Sequence, residues 1–196
     1  QLRDKEMSKR ELLVWAYRLR ELTRERGVTF IMNDHLDIAL AVEADGVHLG
    51  QDDFPIPEAR RIAGPHFLIG ASTHSVQEAR CAVEEGASYI NIGPIFATHT
   101  KKGVVSPVGP KLITQVLEAV NHPFTVMGGI KLENVEEVLT ITYTLTGVLY
   151  KTKTTEGFSS ITGVTNPSNF GNLDFQQKRM LDRWSRYFAT VTKYYP

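Results

Sequence analysis

One cysteine in 196 residues, Cys81, is too few for a disulfide framework within the chain and makes a cysteine-based zinc site implausible. It lies among Ala and Val on a helical pattern, where a thiol is expected to be buried and structural rather than nucleophilic. The chain also has no excess charge. Its 22 basic and 22 acidic residues cancel, which excludes the electrostatic footprint of a nucleic-acid or anionic-membrane binder, so any phosphate binding must be local. No apolar run approaches the about 18 residues that span a bilayer, and no charged-then-apolar leader precedes the first element. The sequence therefore predicts no nucleic-acid partner, no membrane partner and a cytoplasmic location. It begins at Gln1 rather than Met, in a Gln-Leu-Arg-Asp-Lys segment that reads as the end of a strand and its exit loop, so loss of an N-terminal fragment is expected.

What is present is ordinary globular material: 42% hydrophobic residues over a length that suits one sizeable core. Ser8 and Glu11 have capping-box spacing, and Leu12, Trp15, Ala16, Leu19, Leu22 and Thr23 form a helical apolar stripe closed by Gly27. Beyond it, strands are predicted over 28–32, 46–49, 67–69, 89–92 and 124–127, with helices over 36–42, 59–63, 76–85, 111–120 and 132–139. Short unbroken apolar runs suit strands buried on both faces, and the helices between them make the connections parallel. Either a βα barrel or an open doubly wound sheet satisfies that pattern. The barrel is favoured because polar residues follow nearly every strand: Arg3 and Lys5, Asn33 and Asp34, residues 51–53, Ser72, and residues 98–102. Past Leu139 the composition turns to Thr, Ser, Gly and Asn, so 140–172 reads as loop, with 147–150 its one strand candidate. The expected division is a barrel domain over 1–150 and an atypical tail over 151–196, with Leu181, Trp184, Phe188 and Val191 on one face of a terminal helix.

Five features carry chemistry, and each has a plainer explanation when taken alone. Gln1, Arg3 and Lys5 alternate onto one face of a strand and its exit, where the cations can hold phosphate oxygens or merely form a surface cluster. Asn33-Asp34 and Asp52-Asp53 place carboxylates on neighbouring loops, which suits a hard cation such as magnesium but also turn or cap chemistry. Ser72-Thr73-His74 brings hydroxyls to a strand end, or else caps the next helix. The segment from Gly93 to Gly103 puts Thr98, Thr100, Lys101 and Lys102 on a loop that opens with Gly-Pro. Gly128-Gly129 bares backbone amides that can approach a phosphate closely. Together, cation ligands, cationic side chains and bare amides at the same end of successive strands are what a diphosphate needs. They would neutralise a leaving pyrophosphate in a transferase that breaks a carbon-oxygen bond. No nucleophile is evident, because His48, His74 and His99 lack a serine or cysteine partner at triad-like positions.

From Gln1 to about Val138 these residues resemble the thiamine phosphate synthase family. The likeness runs through Gln-Leu-Arg-Asp-Lys, Asn-Asp-His-Leu-Asp-Ile-Ala-Leu, Gly-Val-His-Leu-Gly-Gln-Asp-Asp, Ile-Gly-Ala-Ser-Thr-His, Gly-Pro-Ile-Phe-Ala-Thr-His-Thr-Lys-Lys and Gly-Gly-Ile. The resemblance implies a TIM (βα)8 barrel that joins hydroxymethylpyrimidine diphosphate to a thiazole phosphate, with Mg2+ as cofactor and a homo-oligomeric state. By the same resemblance, Gln1, Arg3, Lys5 and Asn33 would bind the pyrimidine diphosphate, and Asp34 and Asp53 would ligate magnesium. Ser72 and Lys101 would hold the diphosphate during catalysis, Thr98 and Thr100 would contact the thiazole phosphate, and an amide of the Gly128-Gly129 turn would reach a phosphate. Two departures stand out. The strand and helix expected before Gln1 are missing, and the family's closing Ser-Ala-Ile does not follow 147–150, so the barrel is expected to be incomplete at the N-terminus and atypical at the C-terminus. The alternatives are a thiazole tautomerase-like protein, against which Arg3, Lys5, Asp34 and Asp53 argue, and a non-catalytic phosphate-ligand-binding or interaction module.

Overall fold

In the computed structural model, which describes residues 1–98, 106–146, 150–154 and 157–163, the first helix begins where its capping box predicts. Ser8 accepts a hydrogen bond from the Glu11 amide while the Glu11 carboxylate accepts from the Ser8 amide, and α1 runs over Lys9–Glu25. The buried seam of α1 is narrower than the predicted stripe. Leu12 and Ala16 are buried and Leu13 and Leu19 pack beside them, but Trp15 and Leu22 are 45% and 44% exposed. The i, i+4 pair Leu12/Ala16 sits at the centre of the contact, so residues a turn-edge away look outward, and the Arg18 guanidinium lies 5.2 Å from the Trp15 ring centroid.

Strands and helices then alternate: β1 Ile31–Asn33, α2 Leu36–Ala41, β2 Gly46–Leu49, α3 Ile56–Ala63, β3 Leu68–Thr73, α4 Val76–Glu84, β4 Tyr89–Ile92, α5 Lys111–Ala119, β5 Phe124–Met127 and α6 Val135–Thr146. The five strands are parallel and adjacent in chain order, and Leu2 adds an isolated parallel bridge to Met32 beyond β1. One face of the sheet, with Met32, Val47, Ile69, Ile90 and Phe124, shares a single apolar cluster with the helices. This sequential order, with the helices gathered in that cluster, is that of a singly wound sheet rather than a doubly wound one. The opposite face has a small apolar layer of Ile31, Leu68 and Tyr89, followed toward the strands' C-terminal ends by Asn33, His48, Ser72, Asn91 and Thr125. All five of the polar residues except Ser72 are buried.

Beyond β5 the structure departs from expectation. The last helix passes the predicted end at 139 and runs to Thr146, because Leu139 and Ile141 pack on the core and outweigh the modest helix penalty of the threonines. The region predicted as loop contains β6 Tyr150–Thr154 and β7 Gly157–Gly163, an antiparallel pair, and β7 pairs antiparallel with β5. Threonine-rich runs are good strand formers, which a composition-based loop assignment overlooks. The sheet is thus seven-stranded in the order β1-β2-β3-β4-β5-β7-β6, with β1 to β5 its parallel strands among the described residues. Residues 147–149 of the expected strand, and the expected terminal helix with Leu181, Trp184, Phe188 and Val191, lie outside the described residues. Cys81 on α4 is half-buried rather than buried, and Gln77 Nε2 donates to its Sγ at 3.3 Å.

The N-terminal ends of the strands are tied by one side chain. Arg60 on α3 donates to the carbonyls of Gly64, Phe67 and Gly86 at 2.6–3.2 Å and to Ser88 Oγ at 3.0 Å, while Ser88 Oγ accepts from the Ile69 amide. Arg60→Ala is expected to lower unfolding stability by about 2–3 kcal/mol, read from a urea midpoint, because several partly buried acceptors lose their donor together.

Candidate functional site

The C-terminal ends of β1 to β5 bring most of the described candidate residues together. Leu2 donates to the Ile31 carbonyl and accepts from the Asn33 amide, both at 3.0 Å, which lays residues 1–3 beside β1. Gln1 Nε2 then donates to Asn33 Oδ1 at 2.6 Å, joining two predicted ligands of one substrate. Arg3 is exposed near the same edge.

Asp34 follows in the left-handed region at φ 63°, a conformation Asp tolerates better than most residues, with its amide donating to the His48 carbonyl at 2.8 Å. Lys5 Nζ lies 2.7 Å from Asp34 Oδ2. Neither carboxylate pair serves as a helix cap, since α2 is preceded by His35 and α3 by Pro55, with no side-chain cap bond at either. Asp53 does close a turn, its Oδ2 accepting from the Gly50 amide at 2.6 Å, and it shares a hydrogen bond with Asp34. Burial opposes ionisation of both carboxyls. For Asp53 burial wins, helped by the Asp34 charge, and the group is pushed above the usual carboxylate range despite the Gly50 N–H. For Asp34 the Lys5 ammonium and the bond from Asp53 outweigh burial and hold it below that range. Asp52 is exposed.

Ser72 is not the cap of α4. Ser75 is, its hydroxyl accepting from the Glu78 amide at 3.1 Å, which leaves Ser72 on the polar face of β3. Ser72 Oγ lies 2.9 Å from His48 Nε2, and the Ser72 carbonyl accepts from Gln51 Nε2 at 2.6 Å. His48 Nδ1 in turn lies 3.0 Å from the Tyr89 hydroxyl. The expectation that His48 lacks a serine partner is therefore corrected. The contact was missed because it crosses from β2 to β3, and the one sequence signal for it was a lone His in an apolar strand, which must find a polar partner when buried. Burial pushes the Tyr89 phenol far above its ordinary value, so it stays neutral. No acid completes a hydrolytic triad here, because Tyr89 occupies the place where one would stand. His74 Nδ1 is held by the Gly93 carbonyl.

Gly128 and Gly129 pack against the loop after β4. Phe96 donates to the Gly128 carbonyl at 2.9 Å, and a Cβ on Gly129, at φ 64°, would lie 2.4 Å from the Ala97 carbonyl oxygen. The pair is therefore required for close approach of two loops, whatever its amides also bind. Thr98 is half-buried on that loop, while His99, Thr100, Lys101 and Lys102 lie outside the described residues.

No group of three or more His, Cys, Asp or Glu side chains converges among the described residues. Asp34 and Asp53 could still hold a magnesium-like ion, which is commonly bound by one or two carboxylates, with waters and substrate phosphates completing its shell. Two adjacent carboxyls, one of them harder to ionise than usual because of burial and its neighbour's charge, fit such a cation, because a bound cation would offset the repulsion that Lys5 offsets only in part.

The described residues thus form a singly wound α/β sheet with paired carboxylates, a lysine and glycine turns at its strands' C-terminal ends. The family model "Thiamine monophosphate synthase" matches residues 1–162, and the chain belongs to that family. Thiamine-phosphate synthases of Shouchella clausii and Halalkalibacterium halodurans are 52% and 53% identical over 139 residues, 71% of this chain. The matched region spans 66% of each relative, just under two thirds of their length. Among solved structures, thiamine phosphate pyrophosphorylase from Pyrococcus furiosus superposes with a TM-score of 0.63 at 39% identity, covering 70% of this chain and 65% of that one. FabK from Thermotoga maritima, at 16% identity and TM-score 0.55, covers 70% of this chain and 45% of its own and shares the fold alone.

Proposed function

We propose that this chain carries the active site of a thiamine phosphate synthase, which joins hydroxymethylpyrimidine diphosphate to a thiazole phosphate and releases pyrophosphate. The observation that carries the proposal is the contact of Asp34, Asp53 and Lys5 beside the Gln1–Asn33 pair, in a chain about half identical to synthases. In this reading the described sheet is the larger part of a TIM barrel. Gln1 and Asn33 orient the pyrimidine, and Arg3 and Lys5 neutralise its diphosphate. Asp34 and Asp53 hold Mg2+, which when bound supplies charge to the departing diphosphate.

Ser72 and Lys101 hold the diphosphate as the carbon-oxygen bond breaks, leaving a stabilised pyrimidine methyl cation that the thiazole nitrogen attacks. Thr98, Thr100 and a Gly128–Gly129 amide hold the thiazole phosphate so that its nitrogen faces that carbon. The chain's own contribution in this reading is orientation and charge. No described helix is long and apolar enough to cross a membrane, and both proposed substrates are water-soluble small molecules. The test is pyrophosphate release from the two substrates, with and without magnesium. Magnesium-dependent release is expected, and its absence from the folded chain would overturn the proposal.

A further inference from the structure

Among the described residues of the polar face, the proposed mechanism leaves the buried His48 and Tyr89 without a role, although they stand directly behind one of its ligands. We propose that Tyr89 and His48 form a positioning relay that orients the Ser72 hydroxyl as a hydrogen-bond donor to an oxygen of the bound diphosphate. The identity of that anion rests on the synthase reading above.

The argument begins with the two hydroxyls that flank the imidazole, Tyr89 OH at 3.0 Å from Nδ1 and Ser72 Oγ at 2.9 Å from Nε2. A neutral imidazole accepts at one nitrogen and donates at the other. A phenol titrates near 10 and an aliphatic alcohol far higher, so the phenol is the stronger donor and takes the accepting nitrogen. Tyr89 thus donates to Nδ1, Nε2 carries the proton, and that N–H donates to Ser72 Oγ. With a lone pair of Ser72 filled from behind, its own proton is directed away from His48. Ser72 is half-buried at the C-terminal end of β3, while its neighbour Thr73 is turned to the Asn91 carbonyl. The His48 carbonyl also receives the Asp34 amide, so the relay and the carboxylate loop share one residue.

The surrounding backbone makes room for this contact. Gly70 lies on the same face, and a Cβ there would fall 2.1 Å from the Tyr89 ring and 2.5 Å from His48 Nδ1. Gly46, two residues before His48 on β2, leaves similar space against Leu68 and Ile31. An apolar layer would need neither the hydroxyl nor the imidazole, and burying both costs free energy unless each finds a partner.

The test uses the full chain with Tyr89→Phe, His48→Gln, His48→Leu, Ser72→Ala and the Tyr89→Phe/Ser72→Ala double variant. Affinity for inorganic pyrophosphate with magnesium is measured by calorimetry, turnover is measured with both substrates, and the His48 tautomer is read from its imidazole 1H–15N spectrum. The expected result is an Nε2–H tautomer, about tenfold weaker pyrophosphate binding and lower kcat in Tyr89→Phe, and no further loss when that change is added to Ser72→Ala. His48→Gln, which keeps a donor near Nε2, should retain more binding than His48→Leu. An Nδ1–H tautomer, no pyrophosphate binding by the unaltered chain, or an equal loss in both serine backgrounds overturns the relay, the last because a purely structural role would not depend on Ser72. Coupled pyrophosphate binding without turnover would sink the synthase reading and leave the relay standing.

Discussion

Asp34→Ala is expected to reduce magnesium-dependent pyrophosphate release about a hundredfold or more, because a metal that neutralises a leaving group lowers the barrier by several kcal/mol. The substitution also strands Lys5, whose ammonium pairs with Asp34 at 2.7 Å, and places alanine at φ 63°. Some loss of stability will therefore accompany the loss of turnover. Asp53→Asn separates the two effects, since an asparagine oxygen can still accept from the Gly50 amide. A raised carboxyl such as Asp53 stabilises the fold below its unfolded value and loses that contribution as pH rises through its folded one. A depressed carboxyl such as Asp34 contributes above its unfolded value and loses that as pH falls through its folded one. At neutral pH the metal-free pair therefore carries a repulsion that Asp53→Asn removes. Its thermal midpoint should match or exceed that of the unaltered chain while its magnesium-dependent turnover falls as far as that of Asp34→Ala. Magnesium should raise the midpoint of the unaltered chain but of neither variant. Full turnover in both variants at saturating magnesium would remove the metal from this site.

The strands at 46–49, 89–92 and 124–127 match their expected bounds because each is a short, mostly apolar run whose single polar residue, His48, Asn91 or Thr125, is itself buried on the sheet. Strand β3 extends to Ser72 and Thr73, which the sequence assigns to the loop, because their hydroxyls find partners across the sheet. That the Asn33-Asp34 and Asp52-Asp53 loops are neighbours was legible from strand order, whereas grouping Gln1 with Asn33, and choosing Asp34 and Asp53 as a pair, came from the family resemblance. The nearness of those two loops follows from strand ends meeting on one side of a parallel sheet, which needs order and direction but no side-chain detail.

The Tyr89–His48–Ser72 contact was not legible, because it depends on cross-strand register and on the missing side chain of Gly70, neither of which appears as spacing along the chain. By sequence, Ser72-Thr73-His74 could cap the next helix or bring hydroxyls to a strand end, and nothing in the spacing singled out Ser75 as a cap. Only the course of β3 decides that Ser75 caps α4 and Ser72 lies on the polar face of the sheet against His48. The hairpin of β6 and β7 failed for a different reason: threonine reads as turn chemistry in a composition argument and as strand chemistry in a sheet that has an open edge to fill.

Gly46→Ala is expected to cost about 3 kcal/mol or more, read as a urea midpoint at unchanged slope. Its Cβ would lie 2.3 Å from the Leu68 carbonyl oxygen and 2.5 Å from Leu68 Cβ, and no rotamer change moves a backbone oxygen or a Cβ. Strands β2 and β3 would have to separate at the Gly46–Leu68 pair, the first rung of their ladder. The displacement would carry along the strand to His48, and with it the carbonyl that anchors the Asp34 amide and the nitrogen that meets Ser72. Stability and turnover should therefore fall together. Gly27→Ala is the control: at φ 63° with nothing within 4 Å of the added Cβ, it bears only the backbone penalty of about 1–2 kcal/mol and should keep full turnover per folded molecule. Equal midpoints for the two variants would show that β2 and β3 can part at this rung at no more than the cost of that backbone penalty. The close approach at Gly46 would then be incidental to the register on which the site depends.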